Sequence, residues 1–170
     1  IYHHYYDLTK ENLQKAKSIK DSSLTAVFYT DLGDYFQNKF QFDSAYFNYR
    51  KALTYYKTVN KYQILTNYEI ARLLSKESLH VESEIIIFQN LKNALQYGDP
   101  EIIHNFYVVL GINYFELSEF DLAINSFNKA FTYIDKIEIE LIKNIKKSYK
   151  SQYFLKVGNV YKQKKDYIKA

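Results

Sequence analysis

The sequence predicts an all-α protein, an α-solenoid of antiparallel helix pairs with about eight helices in its 170 residues. Three observations carry this expectation. First, Leu32–Ala52 (LGDYFQNKFQFDSAYFNYRKA) returns without a gap as Leu110–Ala130 (LGINYFELSEFDLAINSFNKA), with identities at Leu32/Leu110, Gly33/Gly111, Phe42/Phe120, Asp43/Asp121, Ala45/Ala123, Lys51/Lys129 and Ala52/Ala130. Second, the two copies are offset by 78 residues, the length of two helical hairpins, so a diverged copy is expected between them. Third, the chain holds one Pro and four Gly, too few for a turn-rich all-β domain and suited to helices on short connections.

Taken in order, residues 8 to 20 read as the second helix of a partial repeat over 1–21, with Leu8, Leu13, Ala16 and Ile19 near helical spacing. Asp21-Ser22-Ser23 supplies a break and a cap. The first full repeat, about 23–60, pairs a helix from Ser23 to Asn38 with one from Phe42 to Asn60; the second carries Ala45, Tyr49, Ala52, Leu53 and Tyr56 at three- and four-residue steps. The diverged repeat spans about 63–97, with Ile70-Ala71 standing for Leu32-Gly33 and Asn93-Ala94-Leu95 for Lys51-Ala52-Leu53. That alignment implies an extra turn near Ser75 to Val81. Gly98-Asp99-Pro100-Glu101 then stops one helix with a left-handed cap and starts the next with an N-cap, a proline in the first turn and an acid at the positive helix end.

The third repeat covers about 100–135. A charged helical insertion over about 137–153 follows and leads into a truncated repeat at 154–170, where Phe154, Val157, Gly158 and Tyr161 restart the pattern and Asp166, Tyr167 and Ala170 open a second helix. With no low-complexity linker, 1–170 reads as a single repeat domain. The sequence begins at Ile1 without a Met, and is expected to be a fragment or a processed product.

Three of the four glycines fall in predicted helix interiors, where each costs about 1 kcal/mol relative to alanine. Close approach of the antiparallel partner offsets that cost. A missing Cβ at Gly33 or Gly111 lets Tyr49 or Phe127 lie against the first helix, and Ala45, Ala52, Ala123 and Ala130 make matching room on the second. The small-residue positions Gly33, Ala71, Gly111 and Gly158 are 38, 40 and 47 residues apart.

These residues, a Leu-Gly pair, an aromatic three residues on, an aromatic before a small Ala, a further aromatic and a closing Ala, resemble the tetratricopeptide repeat. The departures are the missing tryptophan-type start, the missing closing proline and spacings above the family's usual length. The longer spacing is similar to repeats of bacterial signalling proteins, including transcription regulators and peptide sensors. The resemblance implies a right-handed superhelix and a protein- or peptide-binding scaffold, the interaction part of a larger signalling or regulatory protein. The alternative it implies is a peptide or small-ligand sensor whose curvature changes on binding.

In such repeats first helices line the concave face. The residues expected there are Thr30, Asp34 and Gln37 in the first copy, Tyr68, Arg72 and Ser75 in the second, Val108, Ile112 and Phe115 in the third, and Leu155, Asn159 and Lys162 in the fourth. An apolar centre would supply affinity, while Arg72, Asn159 and Lys162 would orient a carboxylate or backbone. The competing reading packs Val108, Ile112 and Phe115 against the long helix that follows. Asp34 would repel a carboxylate, which argues against a chaperone-tail clamp.

Catalytic parts are not found. His3, His4, His80 and His104 are scattered without a His-Glu-x-x-His pair, His80, Glu82 and Glu84 form no recognised zinc set, and Glu138 and Glu140 fall on different sides of a helix. No phosphate loop or serine elbow occurs. The expectation is a non-enzyme without metal or cofactor. Net charge is +4, but residues 141 to 170 hold nine Lys against one acid, Asp166. Lys143, Lys146, Lys147 and Lys150 with Tyr149 or Tyr153 would suit phosphates and bases. Tyrosines, however, number 19 and recur throughout, so nucleic-acid binding is not expected. No apolar run reaches the roughly 20 residues of a membrane span, so no membrane insertion is expected. The absence of Cys leaves the compartment open; a cytoplasmic location is the reading adopted, a periplasmic sensor part the alternative. The apolar helix end around Tyr161, Tyr167 and Ile168 needs a cap, expected from another helix of the intact protein, with a homodimer as the alternative.

Overall fold

A computed structural model describes residues 2–137 and 143–164. Among these residues the fold is all-α: α1 (Tyr2–Ser18), α2 (Ser22–Asn38), α3 (Phe42–Leu53), α4 (Lys61–Lys76), α5 (His80–Tyr97), α6 (Pro100–Glu116), α7 (Phe120–Ile134) and α8 (Lys143–Gln163). Two compact units divide the chain, Ile1–Leu73 and Leu74–Ala170, with the boundary inside α4.

Four helix ends share one turn. Lys20, Phe40, Ser78 and Ser118 each adopt φ near +60°, and the next N–H reaches back five residues: Asp21 to the Ala16 carbonyl, Gln41 to Phe36, Leu79 to Leu74 and Glu119 to Tyr114, at 2.8–3.0 Å. This left-handed closure satisfies carbonyls that a helix end leaves bare, and it folds the chain back as an antiparallel partner. The next helix is capped where the sequence supplies a cap. Asp21 accepts from Leu24 N at 2.9 Å, and Asp99 accepts from Glu101 N and Ile102 N, with Pro100 in the first turn and Gly98 left-handed at φ 80°.

In the first unit, Leu13, Tyr29, Leu32 and Ala52 form a buried cluster flanked by Tyr6, Phe28, Tyr55 and Tyr56. Gly33 provides the close approach: a Cβ there would lie 2.4 Å from the Tyr49 ring, and that ring is fully buried. In the second unit Gly111 does the same for Phe127, at 2.5 Å. Ala123, Phe127 and Val160 form the cluster that joins α6, α7 and α8, with Ile112, Phe115, Tyr153 and Val157 packed on it.

Several expectations change. The helix expected to reach Asn60 ends at Leu53; the last bonds tighten, Thr54 N to the Lys51 carbonyl and Tyr55 N to Ala52, before Thr58-Val59, and Asn60 caps α4 through Gln63 N at 3.0 Å. The leading helix starts at Tyr2 rather than near residue 8. The extra turn near Ser75 to Val81 is absent, since α4 and α5 are joined by the same short turn as the other pairs. Ile87, fully buried, stands sixteen residues after Ala71 as Tyr49 does after Gly33 and Phe127 after Gly111, and Ser83 takes the place of Ala45 and Ala123. From Lys143 onward the expected insertion runs through the restart at Phe154 as one helix, α8, because no Pro or capping break interrupts it. Ile1, Glu138, Glu140, Asp166, Tyr167, Ile168 and Ala170 lie outside the described residues.

Candidate functional site

The first-helix residues of the opening copy turn out to be tied within the first unit. Tyr49 Oη donates to Asp34 Oδ1 at 2.6 Å, with Gln37 Oε1 3.0 Å away; Gln37 is buried. Burial and the neighbouring Asp34 carboxylate hold the Tyr49 phenol well above its ordinary range. Thr30 Oγ1 lies 3.0 Å from Thr66 Oγ1, which joins α2 to α4. Arg72 is engaged by Glu69, one turn earlier on the same helix, through Nε at 2.9 Å and a second guanidinium contact. Its fork is thus already matched to a carboxylate. Tyr68 is half-buried beside it and contributes to the charge environment of Arg72.

One residue that the repeat pattern did not single out is Asp31. It is half-buried on α2, and burial, then the nearby Asp34, pushes its carboxyl up to about 6. Asp34 is raised by burial, offset by the Tyr49 hydrogen bond and by Arg72. The pair Asp31/Asp34 is visible in the sequence as an i,i+3 acid pair, and that spacing was the available signal.

In the second unit Ser75 and Val108 are half-buried, and Ile112 and Phe115 are packed in the α6–α7–α8 cluster. Leu155, Asn159 and Lys162 are exposed on α8. The residues His80, Glu82 and Glu84 weighed as metal ligands are placed otherwise. Glu84 Oε1 accepts from Tyr114 Oη at 2.5 Å, Asn113 Nδ2 donates to Ser83 Oγ at 2.8 Å, and His80 Nδ1 lies 3.4 Å from Asn113 Oδ1. No group of three His, Cys, Asp or Glu that could hold a metal occurs among the described residues, and no helix there is long and apolar enough to cross a membrane.

The aromatics weighed as base-stackers face inward. Tyr149 Oη donates to Glu101 Oε1 at 3.2 Å and its ring lies 4.8 Å from that of His104. Tyr153 Oη donates to Asn128 Oδ1 at 2.8 Å and packs 4.3 Å from the Phe131 ring. Lys150 pairs with Asp135 at 2.8 Å and Lys164 with Asp121 at 2.6 Å. His104 is buried with Nδ1 2.9 Å from the Ala130 carbonyl, and burial lowers its pKa.

In the second unit one face of α5 carries a row of exposed apolar side chains. Val81, Ile85, Phe88 and Leu95 follow helical spacing and are 44–54% exposed. The corresponding residues are Asp43, Phe47, Arg50 and Lys57 beside α2, and Asp121, Asn125, Asn128 and Asp135 beside α6. On α7 that row supplies Asp121, Asn128 and Asp135 to α8; on α5 it is apolar.

Antiparallel helix pairs, closed by one repeated turn and locked by a ring seated on a small residue, define an all-α helical-repeat fold. A crystal structure of BtubC (BKLC) from P. vanneervenii is similar in fold, with a TM-score of 0.86 at 19% sequence identity over 99% of this chain and 68% of that one. No family model matches the chain, and no curated protein matches it.

Proposed function

We propose that the chain is a protein- or peptide-binding module built from tetratricopeptide-like helix pairs. The observation that carries this reading is the α5 face. A row of four apolar side chains about half exposed is expensive to leave in water, and contiguous apolar exposure of this kind marks interaction sites. Its equivalents on α3 and α7 are mostly polar, so the row is a feature of one repeat and not a by-product of the pattern. Amphipathic partner helices dock on such rows through anchors at i, i+3/i+4 and i+7 spacing. Lys92, on the same face between Phe88 and Leu95, would pair with a carboxylate of the partner.

Selection of amphipathic peptides against the whole chain, followed by titration against an Ile85→Ser/Phe88→Ser double variant, tests the reading. Both side chains are exposed, so the variant should keep its stability within about 0.5 kcal/mol per site and lose peptide binding at least about 30-fold. Peptides that bind the variant and the parent equally would overturn the proposed face.

A further inference from the structure

α5 reads alike from either end about Phe88. Counted from that ring, apolar side chains stand three residues away on both sides, at Ile85 and Leu91, and seven away on both sides, at Val81 and Leu95. Four residues away stand charges of opposite sign, Glu84 before the ring and Lys92 after it. At about 100° per residue these offsets fall within about 60° either side of Phe88, so they form one stripe along the helix. Val81, Ile85, Phe88 and Leu95 are 44–54% exposed; Lys92 is exposed, and Leu91 and Glu84 are half-buried.

The equivalent stripes on α3 and α7 lack this arrangement. They are centred on Arg50 and on Asn128, with charged residues seven away on both sides, Asp43 and Lys57, Asp121 and Asp135. The symmetry of α5 is therefore not a by-product of the repeat.

A stripe of this kind is complementary to a copy of itself run the other way. An antiparallel α5 related by a two-fold axis at Phe88 sets Phe88 on Phe88, Ile85 level with Leu91 and Val81 level with Leu95, as an isologous interface requires. Lys92 comes level with Glu84 of the other copy on both sides of the axis, so opposite charges meet twice. The Glu84 carboxylate takes the Tyr114 hydroxyl on one oxygen and keeps acceptor positions for an ammonium, with Glu82 exposed two residues earlier. A parallel copy would set Lys92 against Lys92 and align the two helix dipoles.

We infer that the α5 face joins two copies of this chain as an antiparallel, two-fold helix pair centred on Phe88. The inference rests on the α5 docking face proposed above and names its occupant. One helix from each copy covers less than the about 1,200–2,000 Å² of a standard interface, so the dimer is weak and reversible.

Sedimentation equilibrium of the whole chain, loaded from about 10 μM to about 1 mM to span weak affinities, tests this. A monomer–dimer equilibrium is expected, with a dissociation constant raised at least about tenfold by Phe88→Glu, which sets two carboxylates on the axis, and severalfold by Lys92→Glu. Both side chains are exposed, so both variants should keep the parent's thermal midpoint, and lost association is not lost folding. Because the chain contains no Cys, single cysteines read the register: a mixture of Val81→Cys and Leu95→Cys should oxidise to a cross-linked pair much faster than either variant alone. A dimer that survives Phe88→Glu, or that cross-links as readily in Val81→Cys alone as in the mixture, overturns the inference. So does a chain that stays monomeric throughout. If that monomer still binds selected peptides through Ile85 and Phe88, the docking face stands and its occupant is a different protein; a monomer that binds none loses both.

Discussion

Tyr49 and Phe127 occupy equivalent places, and one oxygen atom separates what surrounds them. Tyr49 brings a hydroxyl into a buried seat, so Asp34 and Gln37 are there to meet it; Phe127 brings none, and Ile112 and Phe115 close around it. A buried hydroxyl without a partner costs about 1–3 kcal/mol, which is enough to fix these pairs together. The meeting of Asp34 with tyrosine also shapes Asp31, whose carboxyl rises to about 6 through burial and the adjacent Asp34 charge. Its folded pKa lies above its unfolded value near 3.9, so the folded state binds the proton more tightly. The resulting penalty is absent below about pH 4, grows as pH rises to about 6 and stays constant above. Asp31→Asn should therefore raise stability at pH 7.5 by about 1–2 kcal/mol, discounted for partial exposure, and flatten the slope between pH 4 and 6. Urea midpoints at pH 4.0 and 7.5 check this, and an unchanged slope would place the titration elsewhere.

At the scale of helices, the small-residue seats decide how pairs close. Gly33→Ala gains about 1 kcal/mol of helix propensity, but its Cβ would sit 2.4 Å from a fully buried ring. Overpacking a core costs about 1–3 kcal/mol and displacing the Tyr49 hydroxyl bonds adds to it, so net destabilisation of about 1–2 kcal/mol is expected. Gly111→Ala should behave alike, and thermal unfolding of the two variants checks both. This seat was readable in the sequence because identical residues recur at identical spacing. The second copy was misregistered because its types change: Ser83 replaces Ala, Ile87 replaces the ring, and Ala94 offers a false match one turn late. The candidate groove residues show a different limit of the sequence. Helical spacing shows that Asp34, Gln37, Ile112 and Phe115 share a face, but not that the neighbouring helix sends a side chain to meet it. From Lys143 the insertion runs into the restart at Phe154 as one helix, because no proline or cap stands there to stop it.

At the scale of the whole molecule, the net charge of +4 conceals opposed layers. Residues 74–140 hold eleven acids against four basic side chains, and residues 141–170 hold nine Lys against one acid. α8 therefore meets an acidic body, but its ion pairs are too weak to account for its docking. The pairs Lys150–Asp135 and Lys164–Asp121 involve largely exposed acids, each worth about 0.2–1 kcal/mol and screened by salt within about 10 Å at 0.1 M. Val160, by contrast, is fully buried against Ala123 and Phe127. Truncation to alanine removes two buried carbons, about 0.8 kcal/mol each, plus a cavity, about 2 kcal/mol together. Burial holds the helix, and charge sets its orientation and its choice of neighbours. Amide hydrogen exchange resolves the two contributions: Val160→Ala should speed exchange along α8 by about 30-fold relative to α6, while raising salt from about 0.05 to 0.5 M should change it by no more than about fivefold. Salt releasing α8 as completely as Val160→Ala would mean that the lysines, not the apolar cluster, hold it in place.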